Sequence, residues 1–441
     1  MELAQRPPRG ARRPAADPLH GARRAIARPH LPALLRDDRR FRRFWAGQSI
    51  SLLGDQISLI GLPLVAVLVL DANAAQMGYL VAAELAPNLL FSLHAGAWAD
   101  RRARKRRTMI ATDVGRALLI GSIPVAYAFD ALTFPHMLAV AFLMGTLSVL
   151  FHVSYSALYA ALVPRERLVE GGSITHGSRA LSYVAGPSIG GLLVQAISAP
   201  VTLVVDACSY IVSALILRGV EVEEPAIETP GKGHVVAGLR WVFGNPIVRA
   251  ALGATATINF FNFVFFALFI LYATTSLDIA PATLGLVLGA GAVGGLLGAF
   301  ITNPVARRIG IGRAFALGCV VFPAPLLLVP LADGPQWVIL ACLFLAEFGS
   351  GLGVMMLDIS AGAIAVAVVP DRLRSRVSGA YMVVNYGVRP LGALVGGALG
   401  TWIGLRETLW IATAGALLGV LWLLPSPILG LRELPEPETA V

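Results

Sequence analysis

Between two long apolar runs the chain carries Gly96-Ala97-Trp98-Ala99-Asp100-Arg101-Arg102-Ala103-Arg104-Lys105-Arg106-Arg107, with six cations in the last seven positions. Charge at that density cannot lie in hydrocarbon, so the stretch has to be a short aqueous hairpin joining two membrane helices. A short Lys/Arg-rich loop also stays on the cytoplasmic side, which sets the direction of every span around it. Composition agrees. Mean hydropathy is +0.72, and 56% of the residues are hydrophobic against 14% charged, far from the soluble balance.

Apolar segments run over 44–70, 76–99, 108–129, 133–162, 176–198 and 199–218, then over 248–274, 281–306, 312–332, 335–368, 377–400 and 406–425. A span needs ~20 residues, so this reads as an all-α polytopic membrane protein with about 12 transmembrane helices. The turns assigned outside hold a single arginine, Arg406. The inside loops hold the 101–107 cluster, Arg165, Arg167, Arg307, Arg308, Arg313, Arg372, Arg374 and Arg376. Both termini are therefore expected in the cytoplasm, around a multi-pass protein of the cell membrane.

Residues 1–43 read as a disordered basic cytoplasmic tail, lacking the short apolar region and cleavage site of an export signal. Residues 44–218 form one bundle of six spans, 248–425 a second, and 426–441 a C-terminal cytoplasmic tail. The central loop 219–247 opens acidic and ends in His234–Phe243, where Val235, Leu239 and Val242 share the face of a short interfacial helix. A net charge of +9 concentrated in loops and tail fits membrane orientation and anionic lipid, not nucleic acid. The three cysteines, 208, 319 and 342, all lie in apolar runs and imply packing without a disulfide framework.

The two bundles repeat one another. At an offset of 207, Gly78 falls on Gly285, Ala99-Asp100-Arg101 on Ala306-Arg307-Arg308, and Arg106 on Arg313. At 206, Val163-Pro164 falls on Val369-Pro370 and Gly190-Gly191 on Gly396-Gly397. Such duplication implies two pseudo-symmetric bundles about an axis along the membrane normal, with a substrate cavity between them near mid-membrane. No phosphate-binding loop, metal-ligand constellation or catalytic motif is present. The chain is expected to be no enzyme, to need no cofactor, and to draw on an ion gradient.

Ionisable groups inside spans cost at least ~2.5–3.5 kcal/mol each and mark function. Asp55 in the first segment, Glu84 in the second and Asp358 in the tenth are candidates for proton coupling or substrate contact; Asn262 is the repeat counterpart of Asp55. Glu347 and Arg389 lie in the tenth and eleventh segments. Asp113 and Arg116, three apart, are expected to pair with each other or with the hairpin. The seventh segment is rich in Phe around Asn259 and Asn262. Some of its rings must face lipid, and those sharing a face with the two Asn residues are candidates to line an apolar cavity. In the fifth, Gly186 and Gly190 share a helix face open to close packing, and Pro187 predicts a bend near Tyr183.

Gly96-x-x-x-Asp100-Arg101-x-x-Arg104-Lys105 resembles the signature loop between helices 2 and 3 of the major facilitator superfamily. The resemblance implies that Gly96 permits close helix contact while Asp100, Arg101, Arg104 and Lys105, joined by Asp113 and Arg116, latch one conformation. Gly186-Pro187-x-x-Gly190-Gly191 resembles the fifth-helix motif of the superfamily's exporters. Phe41–Gln48 leading to Leu53-Gly54-Asp55, Ala82–Pro87 and Asp113–Ala117 are similar to the branch holding enterobactin-type siderophore exporters and macrolide efflux proteins. The fourth segment departs from many drug/proton antiporters in carrying no Arg or Lys between Met137 and Leu162. The resemblance implies a monomeric secondary transporter exporting a small amphipathic compound, a drug or siderophore-like metabolite, by alternating access against protons. An uptake permease of the same fold and a non-transporting membrane sensor are the alternatives.

Overall fold

The computed structural model describes residues 32–100, 104–222, 235–370 and 373–432, with side chains at 92–100, 235–239 and 375 outside that description. Its first half is α1 (Ala33–Asp37), α2 (Arg39–Leu70), α3 (Ala74–Asp100), α4 (Lys105–Ala128), α5 (Phe134–Leu162), α6 (Leu168–Ile197) and α7 (Ala199–Arg218). The second is α8 (Val235–Gly244), α9 (Pro246–Thr275), α10 (Pro281–Ile309), α11 (Ile311–Val321), α12 (Leu328–Leu331), α13 (Gln336–Val368), α14 (Arg374–Trp402) and α15 (Leu405–Leu417).

Among the described residues, nine spans are long and apolar enough to cross a membrane, α11 and α12 forming one of them. Pro323 and Pro325 interrupt that span, because proline removes a donor and crowds the preceding turn. The other three expected spans are also helical. The helices α3 and α14 have 27 and 29 residues. Helix α15 continues as a 3-10 turn, Leu418–Trp422, reaching about 30 Å in all.

Helices α2 to α7 pack as one bundle and α9 to α15 as the other. The duplication extends to backbone detail. Asp38 caps α2 by accepting from the amides of Arg40 and Phe41 at 2.8 and 3.1 Å. Its counterpart Asn245 caps α9 through Ile247 and Val248 at 3.0 and 3.1 Å. Left-handed turns recur as well: Asp71 (φ 48°) matches Asp278 (φ 51°), and Ser198 (φ 118°) matches Gly404 (φ 102°).

Two differences from the sequence reading stand out at the ends. The tail expected over 1–43 gives way by residue 33 to α1, whose Leu34 and Leu35 are buried beneath the N-terminal bundle. The cap at Asp38 then starts α2 at Arg39, so the arginines before the first apolar residue are helical. Residues 427–430, expected within the C-terminal tail, form a 3-10 turn; Ile428 is buried, and Leu431 accepts from the Gly312 amide at 3.0 Å. Residues 1–31 and 433–441 lie outside the described residues.

The bundles meet along α3 with α14 and α6 with α10. A Cβ on Gly78 would stand 2.6 Å from the Ala393 carbonyl oxygen and 2.8 Å from Gly397 Cα. One on Gly285 would collide with the Pro187 carbonyl and stand 3.2 Å from Gly191 Cα. Ser188 Oγ donates to the Gly285 carbonyl at 3.4 Å, and the Ala282 amide to Gln195 Oε1 at 3.2 Å. These contacts cluster near the starts of α3 and α10, at the end of the molecule far from Arg104–Arg107.

Candidate functional site

Asp55 sits near the middle of α2, half-buried, and accepts a hydrogen bond from the Tyr210 hydroxyl of α7. Glu84 on α3 is exposed, lies within electrostatic range of Asp55, and precedes Leu85, which with Phe263 and Phe266 of α9 packs on a buried cluster of Val81, Ala82, Ala267 and Ala393 shared by the two bundles. In the C-terminal bundle, Asp358 on α13 is exposed and within range of Arg389 and Tyr381 on α14. The Arg389 guanidinium lies over Tyr386 at 4.4 Å and Phe263 at 5.3 Å. Glu347, also on α13, packs beside Gly291 of α10. Each bundle thus carries an exposed carboxyl, Glu84 in the first and Asp358 in the second.

Behind Asp55 the polar groups continue inward. Asp113 and Arg116 pair with each other inside α4, at 0% and 2% side-chain exposure. Ser213 of α7 donates to Asp113 Oδ2 at 2.8 Å. Arg116 is clamped between the rings of Phe151 (4.2 Å) and Tyr210 (4.4 Å). Its neighbours are therefore α5 and α7. A neutral, ring-stacked pair is how a buried arginine becomes tolerable.

One turn along α7 from Tyr210 lies Asp206, fully buried. Ser58 of α2 donates to its Oδ2, and Ser209 to its Oδ1 at 3.1 Å. Gly54 makes the space: a Cβ there would collide with both Asp206 and Ser209. The sequence reading overlooked Asp206 and Tyr210. A lone carboxylate in the apolar run Val204-Val205-Asp206-Ala207-Cys208 was the available signal.

Among the described residues, the equivalent positions of the C-terminal bundle carry none of these carboxyls. A recess of about 10 Å³, room for roughly one water, is lined by Asn262, Phe265, Pro323, Ala412 and Ala416. By the repeat offsets these stand where the first half has Asp55, Ser58, Arg116, Asp206 and Tyr210. Asn262 therefore lines a recess with the proline-broken turn after α11 and with α15, while Asn259 donates to Asn385 Oδ1 of α14 at 3.0 Å. The two asparagines, expected on one cavity face, serve different helix contacts.

In the expected latch, Arg101 lies outside the described residues, as do the Asp100 side chain and the surroundings of Gly96 in α3. Arg104 precedes α4 and is exposed; Lys105, its first residue, is buried. Arg106 donates to the Val220 carbonyl at 2.7 Å, just past the C-terminus of α7, where cations complement the helix dipole. In the exporter motif Gly186 and Gly190 seat on Gln56 and Ile57 of α2, while Pro187 and Gly191 meet Gly285.

With this arrangement in view, the sequence matches the profile of the Major Facilitator Superfamily over residues 44–393 and 252–439. It is 28% identical over 381 residues to the multidrug efflux pump Tap of Mycolicibacterium fortuitum, covering 83% of this chain and 91% of that protein. To the pump of the same name in Mycobacterium tuberculosis (strain H37Rv) it is 26% identical, covering 80% and 85%. Among solved structures, a point mutant of the nucleoside transporter NupG superposes with a TM-score of 0.71 at 12% identity, covering 88% of this chain and 99% of that one. A bacterial homologue of the iron transporter ferroportin, in an inward-facing state, gives 0.69 at 17% identity, covering 88% and 98%.

Proposed function

The chain belongs to the Major Facilitator Superfamily, a multi-pass membrane transporter, and on that premise we propose that it exports small amphipathic compounds by proton antiport. The reading takes the arginine-rich end as cytoplasmic. The space between the bundles then opens to the cytoplasm while the far end is shut. One observation supports the direction of transport: in the exporter-like motif Pro187 and Gly191 of α6 meet Gly285 of α10 at that shut end, while Gly186 and Gly190 seat the same helix on α2. The multidrug efflux relatives support a drug-like cargo.

Cargo chemistry follows from the walls. Glu84 and Asp358 are exposed carboxyls, and Phe263, Phe266 and Tyr386 supply aromatic surface beside them. An apolar compound bearing positive charge satisfies both features. Asp55 is the favoured coupling group, because it stands between the cavity and the buried polar column. Asp113, Arg116 and the 104–106 cations would serve to hold the cytoplasmic ends in register.

Everted membrane vesicles test this directly. With the lumen acidified, they should accumulate the lipophilic cation ethidium, and collapse of the pH gradient should release it. Loss of ethidium from preloaded vesicles under the same gradient would instead identify an uptake permease. A desferri-siderophore run in parallel decides whether metabolite export belongs to the same protein.

A further inference from the structure

The Asp55–Asp206 region is braced in both directions. From α7, Tyr210 donates to Asp55 of α2; from α2, one turn nearer the far end, Ser58 donates to Asp206 of α7. Each helix presents a carboxyl and a hydroxyl one turn apart, and each carboxyl takes the other helix's hydroxyl. Hydroxyls can donate or accept, so either carboxyl can sit in this brace charged or neutral without losing its partner.

Counting charge restricts the choice. Glu84 on α3, Asp113 and Arg116 on α4, and Tyr210 on α7 are the titratable groups facing the two carboxyls. Toward them α5 presents the Phe151 ring against Arg116, and α6 presents Gly186 and Gly190 to α2. Arg116 is already matched by Asp113. Two further negative charges on Asp55 and Asp206 would have no counter-ion in a low-dielectric interior, which is costly. The Arg116 Nε has no hydrogen-bond partner and points to spare polar capacity inside the same cluster.

We propose that Asp206 is a positioning residue for coupling, sharing one exchangeable proton with Asp55 across the α2–α7 brace. Asp55 is the side open to the cavity and Asp206 the side sealed from it. With both carboxyls protonated the pair is neutral; Asp55 gives one proton to cavity water, which becomes hydronium, and the proton that remains is shared between Asp55 and Asp206, leaving one negative charge until alkaline buffer removes the second proton. Among the described residues, the matching place in the C-terminal bundle holds Pro323, Ala412 and Ala416 and offers no such pair. The inference deepens the antiport reading and rests on it for its role in transport.

Purified full-length protein in detergent, stepped between acid and alkaline buffer, supplies the test. Protons released are counted with an indicator dye, and carboxyl bands are followed by infrared difference spectroscopy. Asp206→Asn keeps the shape and can still bond Ser58 and Ser209. It should change the carboxylic-acid band and lower release by about one proton per transporter. Ser58→Ala, which removes a donor and no carboxyl, should displace the same band and serves if the first variant fails to fold. Spectra and proton counts matching wild type in both variants would overturn the proposal. If instead the counts fall as expected while wild-type vesicles ignore a pH gradient, the antiport reading fails and the shared proton stands.

Discussion

Gly78 of the N-terminal bundle lies against Gly397 of the C-terminal one, the Cα of the latter 2.8 Å from where a Gly78 Cβ would be. Their repeat counterparts, Gly285 and Gly191, meet in the same way on the other side of the pseudo-axis. Two related backbone contacts thus hold one end of the transporter shut, and neither has room for a side chain.

Replacing Gly397 by Leu should therefore pry that end open. Forcing bulk into a packed contact costs about 1–3 kcal/mol, enough to shift a conformational equilibrium by about fivefold to a hundredfold. A membrane-impermeant thiol reagent applied from outside should label a cysteine placed at Leu85 faster in this variant. Unchanged labelling would mean that the contact does not gate access.

Asp55→Asn should leave the protein folded, since the amide still accepts from Tyr210, yet abolish stimulation of ethidium transport by a pH gradient. Tyr210→Phe should weaken that stimulation without removing it. Initial rates in everted vesicles, with and without the gradient, decide; a gradient response surviving in Asp55→Asn assigns coupling elsewhere.

The Asp113–Arg116 pair predicts a non-additive outcome. Arg116→Leu alone strands a buried carboxylate, a loss of about 3–5 kcal/mol. Adding Asp113→Asn should restore much of that stability, and thermal unfolding in detergent measures both. Equal losses in the single and double variants would show that ring packing by Phe151 and Tyr210, not charge balance, is what Arg116 supplies.

The duplicated caps allow a comparison within one molecule. Asp38→Ala and Asn245→Ala should each cost about 1 kcal/mol, and similar depressions of thermal stability are expected. A much larger effect at Asp38 would locate extra stability in the docking of α1, whose Leu34 amide donates to Glu170 at 2.7 Å.

Much of this architecture is written in linear order. Hydrocarbon excludes charge and unsatisfied backbone, so apolar runs and cationic loops dictated the helices and the sided distribution of arginine. A repeat offset carried by glycines predicted the pairing of Gly78 with Gly285 as equivalents. What lay beyond reach was which side chains meet across helices: Tyr210 with Asp55, Ser58 with Asp206, Asn262 beside Pro323 and α15. Hydropathy and spacing set each helix's length and order, but the rotation of one helix against another follows from packing over whole faces. Only the folded bundle decided that Asp113 would take Arg116 while Asp55 and Asp206 are bonded by hydroxyls of the facing helices.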